Sequence, residues 1–360
     1  MIKGNKGEWS EFYAFLKLLT DGKLFNADAN LAILEDNFYV ILKIIRDETR
    51  GRQSYDISKR NGEVIMTDEV DGSSVVINIE NIKSKVVAIF EEMKSSNDTT
   101  FQIPSAEAVM NDLHCSQIKA SSKKKADLVI VLHDKKSPIF PELGFSIKSM
   151  LGSPSTLLNA SGATNFTYRI IETNTADPVV TSGVHEVSVR EKSTHIYEAG
   201  GNIEFVEMDN AGFKMNLRNI DSNFPEIIAE TIKYYYRGRA SRVSDLVDCM
   251  TEDEDFCKKF DLNKRQLILK VKRFLSAVAL GMTPKKEWDG YASAHGGYVI
   301  VKENGEVVCY HIYNRDQFEE YLYRNTKFDT PSTGRHKFGD IYTENGEKRI
   351  KYNLQIRFIK

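Results

Sequence analysis

The sequence predicts a mixed α/β (α+β) fold in which helices flank a central mixed sheet and further strands are added to it. Residues 7–20 have the apolar periodicity of a helix that ends at Asp21-Gly22. Residues 126–151 contain two apolar runs of strand length around a Pro-containing turn. Later in the chain, GGYVIVK and EVVCYHIY bracket Glu303-Asn304-Gly305, which is typical of a hairpin.

The other segments alternate between helix and strand. Residues 31–46 are predicted as a second helix, and residues 52–80 carry Asn-Gly and Asp-Gly dipeptides that indicate short hairpins. Further helices are predicted at 82–94, 105–113, 225–237 and 264–280, and irregular strands at 180–220. We predict three regions: 1–100 with helices and a small β region, 101–220 with the core hairpin, and 221–360 with helices and strands.

Composition is that of an ordinary globular protein, with 41% hydrophobic and 28% charged residues. No apolar run approaches the roughly 18 residues of a membrane span, and the N-terminus does not have the pattern of a signal peptide. Without such a run, we expect no membrane partner. The cysteines lack CxxC spacing, so we expect reduced thiols in a cytoplasmic protein and no zinc site. A net charge of −2 excludes a uniformly basic surface, but basic residues cluster at 119–125 and 264–286.

Asp127 and Lys148 are the main candidates for a catalytic site. Asp127 opens the first apolar run of the central hairpin, and Lys148 lies in the second, where an unpaired charge is costly. Many metal-dependent nucleases hold a cation and an attacking water between an Asp and a Lys on paired strands. Asp127 offers a hard oxygen ligand to Mg²⁺, and Lys148 can orient the water or stabilise the phosphate. In a purely structural interpretation, Asp127 caps a turn and Lys148 reaches solvent from an edge strand.

A second acid is expected near this pair. Ser146 shares a strand face with Lys148 and stands where that acid is usual, and a hydroxyl is a weak metal ligand. Glu8 and Glu11 lie three residues apart on one face of the first predicted helix, so both are candidates for this acid. We expect Glu11 to be the first choice and Glu8 the second. Glu142, also on the Lys148 face, is a further candidate metal ligand. Acids in a first helical turn also occur for dipole reasons alone.

Several long segments resemble the HpaII family of type II restriction endonucleases. They are KGNKGEWSEFYAFLKLL, ELGFSIKSMLGSPSTLLNASGATNF, RFLSAVALGMTP, GGYVIVKENGEVVCYHIYNR, STGRHKFGDIY and NLQIRF, distributed over residues 3–360. The resemblance implies a PD-(D/E)xK nuclease core, Mg²⁺-dependent cleavage of double-stranded DNA, and CCGG as the target. It implies catalytic roles for Asp127 and Lys148, and a cognate DNA methyltransferase in the same cell as a functional partner. Ser146 departs from the superfamily pattern, which leaves the second ligand open.

Two polar segments and a lysine run are predicted to contact DNA. Hydroxyls and amides after the catalytic lysine suit phosphates and base edges, and arginines near the C-terminus suit guanine. The candidates are Ser153, Thr156, Asn159, Ser161, Thr164 and Asn165 in the first segment, Arg315, Arg324, Arg335, His336 and Lys337 in the second, and Lys123 and Lys124 before Asp127. An ordinary capped loop explains any single residue of the first segment equally well.

Three functions follow from these residues. The first is a site-specific endonuclease, the second a DNA-binding protein with an inactive nuclease fold, and the third a structure-specific repair or recombination nuclease. Retention of Asp127, Lys148 and Glu11 favours the enzyme. A palindromic target presents two scissile phosphates related by a twofold axis, which predicts a homodimer on DNA.

Overall fold

The computed structural model describes residues 2–57, 62–119, 126–133, 140–171 and 187–359. Its helices are α1 (Lys6–Asp21), α2 (Ile79–Ser95), α3 (Pro104–Asp112), α4 (Val189–Glu198), α5 (Ala211–Arg218), α6 (Phe224–Tyr236), α7 (Val243–Glu252), α8 (Glu254–Phe260), α9 (Lys264–Leu280), α10 (Arg315–Arg324) and α11 (Thr333–His336). Its strands are β1 (Lys23–Ala27), β2 (Ile33–Glu48), β3 (Gly51–Asp56), β4 (Glu63–Asp68), β5 (Ser74–Asn78), β6 (Leu128–His133), β7 (Glu142–Ser149), β8 (Thr156–Leu158), β9 (Asn165–Ile171), β10 (Asn202–Met208), β11 (Gly297–Val301), β12 (Val307–His311), β13 (Thr326–Phe328), β14 (Ile341–Glu344), β15 (Glu347–Asn353) and β16 (Ile356–Phe358). Among the helices described, none is long and apolar enough to cross a membrane.

The chain divides into two compact units. The first comprises Met1–Ser155 and Ala292–Tyr321, and the second comprises Thr156–Tyr291 and Leu322–Lys360. These limits differ from the predicted regions 1–100, 101–220 and 221–360. The difference arises because β11 and β12 hydrogen-bond into the sheet that the N-terminal strands form, and such long-range pairing leaves no local signal in a sequence.

A nine-stranded mixed sheet organises the first unit, in the order β1-β12-β11-β7-β6-β2-β3-β4-β5. β7 pairs with β6 in antiparallel and with β11 in parallel register, so it lies inside the sheet. An additional pairing of β1 with β2 joins β1, β12, β11, β7, β6 and β2 into one circuit. The predicted mixed sheet with flanking helices is confirmed, and the edge-strand interpretation of Lys148 is wrong because β7 has a neighbour on both sides.

The limits of α1 follow from local chemistry. The Asn5 side chain accepts a hydrogen bond from Glu8 N at 3.0 Å, and the Glu8 carboxylate accepts one from Asn5 N at 2.9 Å, which completes a capping box. At the other end Gly22 adopts φ 63°, the left-handed conformation that glycine tolerates best. The helix end predicted at Asp21-Gly22 is confirmed.

The buried face of α1 packs on the sheet and on α2. This face consists of large apolar side chains, which are Trp9, Phe12, Phe15, Leu16 and Leu19. The indole N–H of Trp9 donates to the Phe101 carbonyl at 3.0 Å, so its polar atom is satisfied inside the core. Burial of this face fixes which of the polar residues of α1 point away from the core.

The second unit contains two smaller sheets and a buried core. Its sheets are the antiparallel β10-β9-β15-β14 and the three-stranded β13-β16-β8, and α4 to α9 belong to the same unit. Buried tyrosines fill part of this core, with Tyr236 stacked on Tyr352 at 4.5 Å between ring centroids and Tyr168 at 4.9 Å from Tyr352. The Tyr168 hydroxyl donates to the Ala229 carbonyl at 2.9 Å, which satisfies its polar end.

Two predictions of local structure are wrong. Residues 31–46 form most of β2 rather than a helix, because the run is rich in Ile, Val, Phe and Tyr and its partners β1, β3 and β6 satisfy its backbone. Within 180–220, residues 180–186 lie outside the described part of the chain, and the rest contains α4 and α5 besides β10. Ser188 caps α4 and Asn210 caps α5, signals that the sequence analysis overlooked.

Candidate active site

Asp127 is held by the strand opposite it. Its backbone N–H donates to the Phe145 carbonyl at 2.8 Å, which extends the β6–β7 ladder by one residue. Its carboxylate oxygen Oδ2 accepts from the Ile147 N–H at 2.7 Å and from the Ser146 hydroxyl at 3.0 Å. The carboxylate therefore takes the place of a backbone carbonyl at the end of the ladder, and its orientation is defined by β7.

Ser146 contacts the acid and is buried in the sheet, with 3% of its surface exposed. Its hydroxyl donates to Asp127, so in this arrangement the serine orients the carboxylate. A carboxylate at position 146 would instead sit beside Asp127 as a like charge, which raises the cost of ionising both acids. Serine thus suits a site in which Asp127 remains ionised and the second acid comes from another element.

Lys148 lies two residues further along β7 and is half-buried. Its ammonium nitrogen Nζ is 5.4 Å from the centroid of the Tyr298 ring on the neighbouring strand β11. Burial lowers the pKa of Lys148 below its ordinary value, and the negative charges of Asp127 and Glu11 oppose that shift. The ammonium is therefore flanked by two carboxylates and one aromatic face.

Glu11 and Glu8 have different surroundings although both lie near the start of α1. Glu11 is half-buried and close enough to act on the charges of Lys148 and Lys119. Glu8 forms the capping box and an ion pair with Lys119. Burial raises the pKa of Glu8, but hydrogen bonds from Lys119 and from the Asn5 N–H outweigh burial, so the net pKa lies below its usual value. Of these two acids, Glu11 is therefore the one whose charge acts on Lys148.

A hydroxyl bridge joins α1 to the end of β7. The buried Ser10 hydroxyl lies 2.7 Å from the Ser149 hydroxyl. In the sequence, Ser10 directly precedes Glu11 and Ser149 directly follows Lys148. The Ser149 hydroxyl also accepts from the Leu151 N–H at 3.0 Å. This bridge sets the position of the helix that carries Glu11 relative to the strand that carries Lys148. Its only signal in the sequence is a serine on an otherwise apolar helix face, which was not among the predicted site residues.

Glu142 lies apart from this cluster. It begins β7 opposite Val131, four residues before Ser146, which corresponds to roughly 13 Å along a strand. Its exposed carboxylate pairs with Arg52, with 3.3 Å between Nη2 and Oε2. The structure does not bring Glu142 to Asp127, because a shared strand face does not make distant positions neighbours.

The acidic side chains that act on Lys148 are potential ligands of a divalent cation. Within the described ranges, no group of three or more His, Cys, Asp or Glu side chains is arranged to hold a metal ion. Two carboxylates, Asp127 and Glu11, both act on the Lys148 charge. Mg²⁺ in nucleotide and phosphate sites is commonly held by one or two carboxylates, with water and phosphate oxygens completing its octahedron. The residues present therefore fit Mg²⁺ of that type, and they do not form a closed all-protein cage.

Several predicted DNA contacts fall on exposed or half-buried positions. Lys123 and Lys124 lie outside the described residues. Arg315 in the first unit pairs with Glu319 at 2.6 Å. The exposed positions are Ser153, Asn159, Arg315, Arg324, Arg335 and Lys337, and the half-buried ones are Thr156, Ser161 and His336.

Thr164 and Asn165 are buried and bond within the second unit. Thr164 Oγ1 donates to the Asn353 side chain at 3.3 Å, and Asn353 Nδ2 donates to Asn165 Oδ1 at 2.6 Å. Asn165 Nδ2 in turn donates to the His336 carbonyl at 3.0 Å. These side chains are used for internal hydrogen bonds and do not face solvent, which corrects their prediction as DNA contacts. Asn165 instead supports the short helix that contains Arg335.

The chain is similar to known proteins over nearly its whole length. A profile described as HpaII restriction endonuclease matches residues 5–358. The chain belongs to the HpaII restriction endonuclease family. It is 42% identical over 359 residues to the Type II restriction enzyme HpaII of Haemophilus parainfluenzae, which covers 99% of this chain and 99% of that protein. No solved structure matches the chain.

Membership of the HpaII family confirms the resemblance that the sequence motifs predicted. The family consists of type II restriction enzymes, which are site-specific deoxyribonucleases, and such enzymes generally use divalent metal ions. The match extends over both units and includes the segments that carry Asp127, Lys148 and Glu11. It gives no support to an inactive DNA-binding protein.

Proposed function

We propose that this chain cleaves double-stranded DNA at a short palindrome by Mg²⁺-dependent hydrolysis of a phosphodiester bond, using a PD-(D/E)xK-type core formed by β6, β7 and α1. The observation that carries the proposal is the cluster in which the Asp127 carboxylate is bound by β7 while Lys148 and Glu11 lie within electrostatic range. Membership of the HpaII family supports the same chemistry.

Asp127 and Glu11 are the proposed ligands of Mg²⁺. When bound, the cation supplies charge stabilisation to the scissile phosphate and lowers the pKa of a coordinated water. The hydrogen bonds from Ser146 and from the Ile147 N–H orient the Asp127 carboxylate. Glu11, on a helix fixed to β7 by Ser10 and Ser149, replaces the acid that is absent at position 146.

Lys148 is proposed to act on the phosphate. Burial disfavours its ammonium form, and the negative charges of Asp127 and Glu11 favour it. As an ammonium, it donates hydrogen bonds to a non-bridging phosphate oxygen as negative charge develops there. A half-buried ammonium acts in a poorly screened environment, where its electrostatic effect is larger than at an exposed position.

CCGG is the proposed target, as the family resemblance implies. Arginine is the side chain that best distinguishes guanine, through paired hydrogen bonds to N7 and O6. Arg335 is exposed on α11, and Asn165 holds the α11 backbone through the His336 carbonyl. We propose Arg335 as a guanine-reading residue, with a homodimer on DNA and a cognate methyltransferase as functional partner.

A cleavage assay tests the proposal. Plasmid DNA with CCGG sites and a matched plasmid without them are incubated with the protein and Mg²⁺, Mn²⁺ or Ca²⁺. Discrete fragments that end at CCGG are expected with Mg²⁺ or Mn²⁺, whereas Ca²⁺ is expected to support binding without turnover. No cutting would indicate an inactive DNA-binding protein, and cutting restricted to branched junctions would indicate a repair or recombination nuclease.

The variant Asp127→Ala tests the position of the site. It is expected to reduce the cleavage rate by on the order of a thousandfold or more, because a metal carboxylate commonly supplies several kcal/mol of transition-state stabilisation. Specific binding should remain, measured by fluorescence anisotropy with a labelled duplex. Asp112→Ala, which removes an exposed carboxylate paired with Lys85, is the control. Normal cutting by Asp127→Ala would show that the proposed site is wrong.

A further inference from the structure

A buried tyrosine on β11 contacts the lysine of the proposed site. Tyr298 is 1% exposed, and its ring centroid lies 5.4 Å from Lys148 Nζ. A cation within about 6 Å of the centroid of an aromatic ring is attracted by the negative charge of the ring face. Tyr298 and Lys148 lie on neighbouring strands of the same sheet, so the contact does not depend on a loop.

The position of the ring is fixed by the backbone around it. β11 runs parallel to β7, with Tyr298 opposite Ser146 and Ile300 opposite Lys148. Just before the strand, Gly296 N donates to the Gly144 carbonyl at 2.7 Å, and a Cβ on Gly296 would lie only 2.7 Å from the Phe145 ring. This close approach, which a side chain would prevent, starts β11 directly against β7.

Packing on the other side prevents the ring from moving away. The Tyr298 ring meets Phe318 edge to face with 5.3 Å between ring centroids. Its cross-strand partner is Tyr310 on β12, which also packs against Phe318, at 6.5 Å. Tyr298 and Tyr310 thus share a strand environment, but only Tyr298 has a ring contact to Lys148 among those described.

The charge on Lys148 depends on what surrounds it. Burial disfavours an ammonium, and the charged groups that act on it are Asp127 from β6 and Glu11 from α1. Both are also the proposed Mg²⁺ ligands, so metal binding reduces their capacity to stabilise the ammonium. The aromatic face of Tyr298 is not a proposed metal ligand, so it would remain available to the Lys148 ammonium with Mg²⁺ bound.

We propose that Tyr298 is a positioning residue of the cleavage reaction, whose ring face holds the Lys148 ammonium against the scissile phosphate when the two carboxylates are engaged with metal. The inference rests on the proposed function. It predicts that the aromatic ring of Tyr298, rather than its hydroxyl or its bulk, is what the reaction requires.

Three variants separate the ring contact from core packing. Tyr298→Leu removes the ring, Tyr298→Phe keeps it without the hydroxyl, and Tyr310→Leu removes the matched ring that does not contact Lys148. Single-turnover cleavage of a CCGG duplex is measured with saturating enzyme and Mg²⁺. Thermal unfolding and duplex affinity in Ca²⁺ are recorded for each variant, so that loss of folding or binding is seen separately.

Tyr298→Leu is expected to lower the cleavage rate about fivefold to thirtyfold beyond any change in Tyr310→Leu. Tyr298→Phe should retain a rate close to that of the parent protein, because the ring that contacts Lys148 is kept.

The inference is overturned if Tyr298→Leu and Tyr310→Leu lose rate equally, or if Tyr298→Phe behaves like Tyr298→Leu. Should Tyr298→Leu fail to fold, the rates of Tyr298→Phe and Tyr298→Trp decide, since both keep a ring: a rate near that of the parent protein supports the inference, and a large loss of rate in a folded variant of either kind overturns it. A failure of the proposed function is distinguishable from all of these outcomes, because the parent protein itself would not cut CCGG.

Discussion

At the scale of single residues, each acid of the proposed site is defined by a contact from another element. Asp127 directly precedes β6, and its carboxylate is oriented by hydrogen bonds from Ile147 N–H and the Ser146 hydroxyl on β7. Burial lowers the pKa of Lys148 below its ordinary value, and the negative charges of Asp127 and Glu11 oppose that shift.

Arg335→Ala is expected to weaken the discrimination between CCGG and a singly mismatched duplex by roughly 1–3 kcal/mol, because a guanine-reading pair of hydrogen bonds is lost. Lys337→Ala removes an exposed charge two residues away and should weaken binding to all duplexes alike. Competition binding at several salt concentrations measures both effects. If Arg335→Ala instead weakens all sequences equally and makes the salt dependence shallower, the residue contacts phosphate.

At the scale of elements, two glutamates three residues apart on α1 have different interactions. Its cap uses Glu8, which bonds the Asn5 N–H and pairs with Lys119. One turn later Glu11 acts on Lys148, because Ser10 fixes the helix against Ser149 of β7. The rotation of the helix about its axis, fixed by its buried apolar face, decides which acid faces the site.

Glu11→Gln is therefore expected to reduce cleavage at fixed Mg²⁺ by on the order of a hundredfold and to raise the Mg²⁺ concentration needed for half-maximal rate. Glu8→Gln serves as the matched control, since glutamine still completes a capping box while the partly exposed ion pair with Lys119 is lost. Its unfolding free energy should fall by less than about 1 kcal/mol, with cleavage near the parent rate. The reverse pattern would assign the metal to Glu8.

At the scale of the whole molecule, one chain carries one Asp127–Lys148 site and a net charge of −2. Double-strand cleavage of a palindrome requires two such sites or two successive visits. A chain of nearly zero net charge gains little from long-range attraction to DNA, so contacts from two subunits would keep the protein bound between cuts.

A homodimer on DNA is the expected assembly. Sedimentation velocity with a short duplex bearing CCGG should give a complex of two chains per duplex, and plasmid cleavage should pass to linear DNA with little nicked intermediate. A duplex without the target is the control. A stable complex of one chain per duplex, together with accumulated nicked plasmid, would indicate a monomer that cuts each strand in turn.

Local sequence signals were sufficient to predict the features that depend on neighbouring residues. The ends of α1 follow from Asn5, Glu8 and Gly22, and the β11–β12 hairpin follows from Asn304-Gly305 between two apolar runs. Family membership also followed from sequence, because the matching motifs extend along nearly the whole chain. These signals involve residues within a few positions of each other, where backbone conformation and capping are decided locally.

Features that depend on long-range pairing could not be predicted from such local signals and are seen only in the folded chain. β2 is a strand because three other strands satisfy its backbone, although its sequence also suits a buried helix. Tyr298 meets Lys148 because β11 pairs in parallel with β7 across about 150 intervening residues, an arrangement with no local sequence signal. Burial of Thr164 and Asn165 likewise follows from contacts with Asn353 and His336, which lie far along the chain and compete with solvent for the same polar groups.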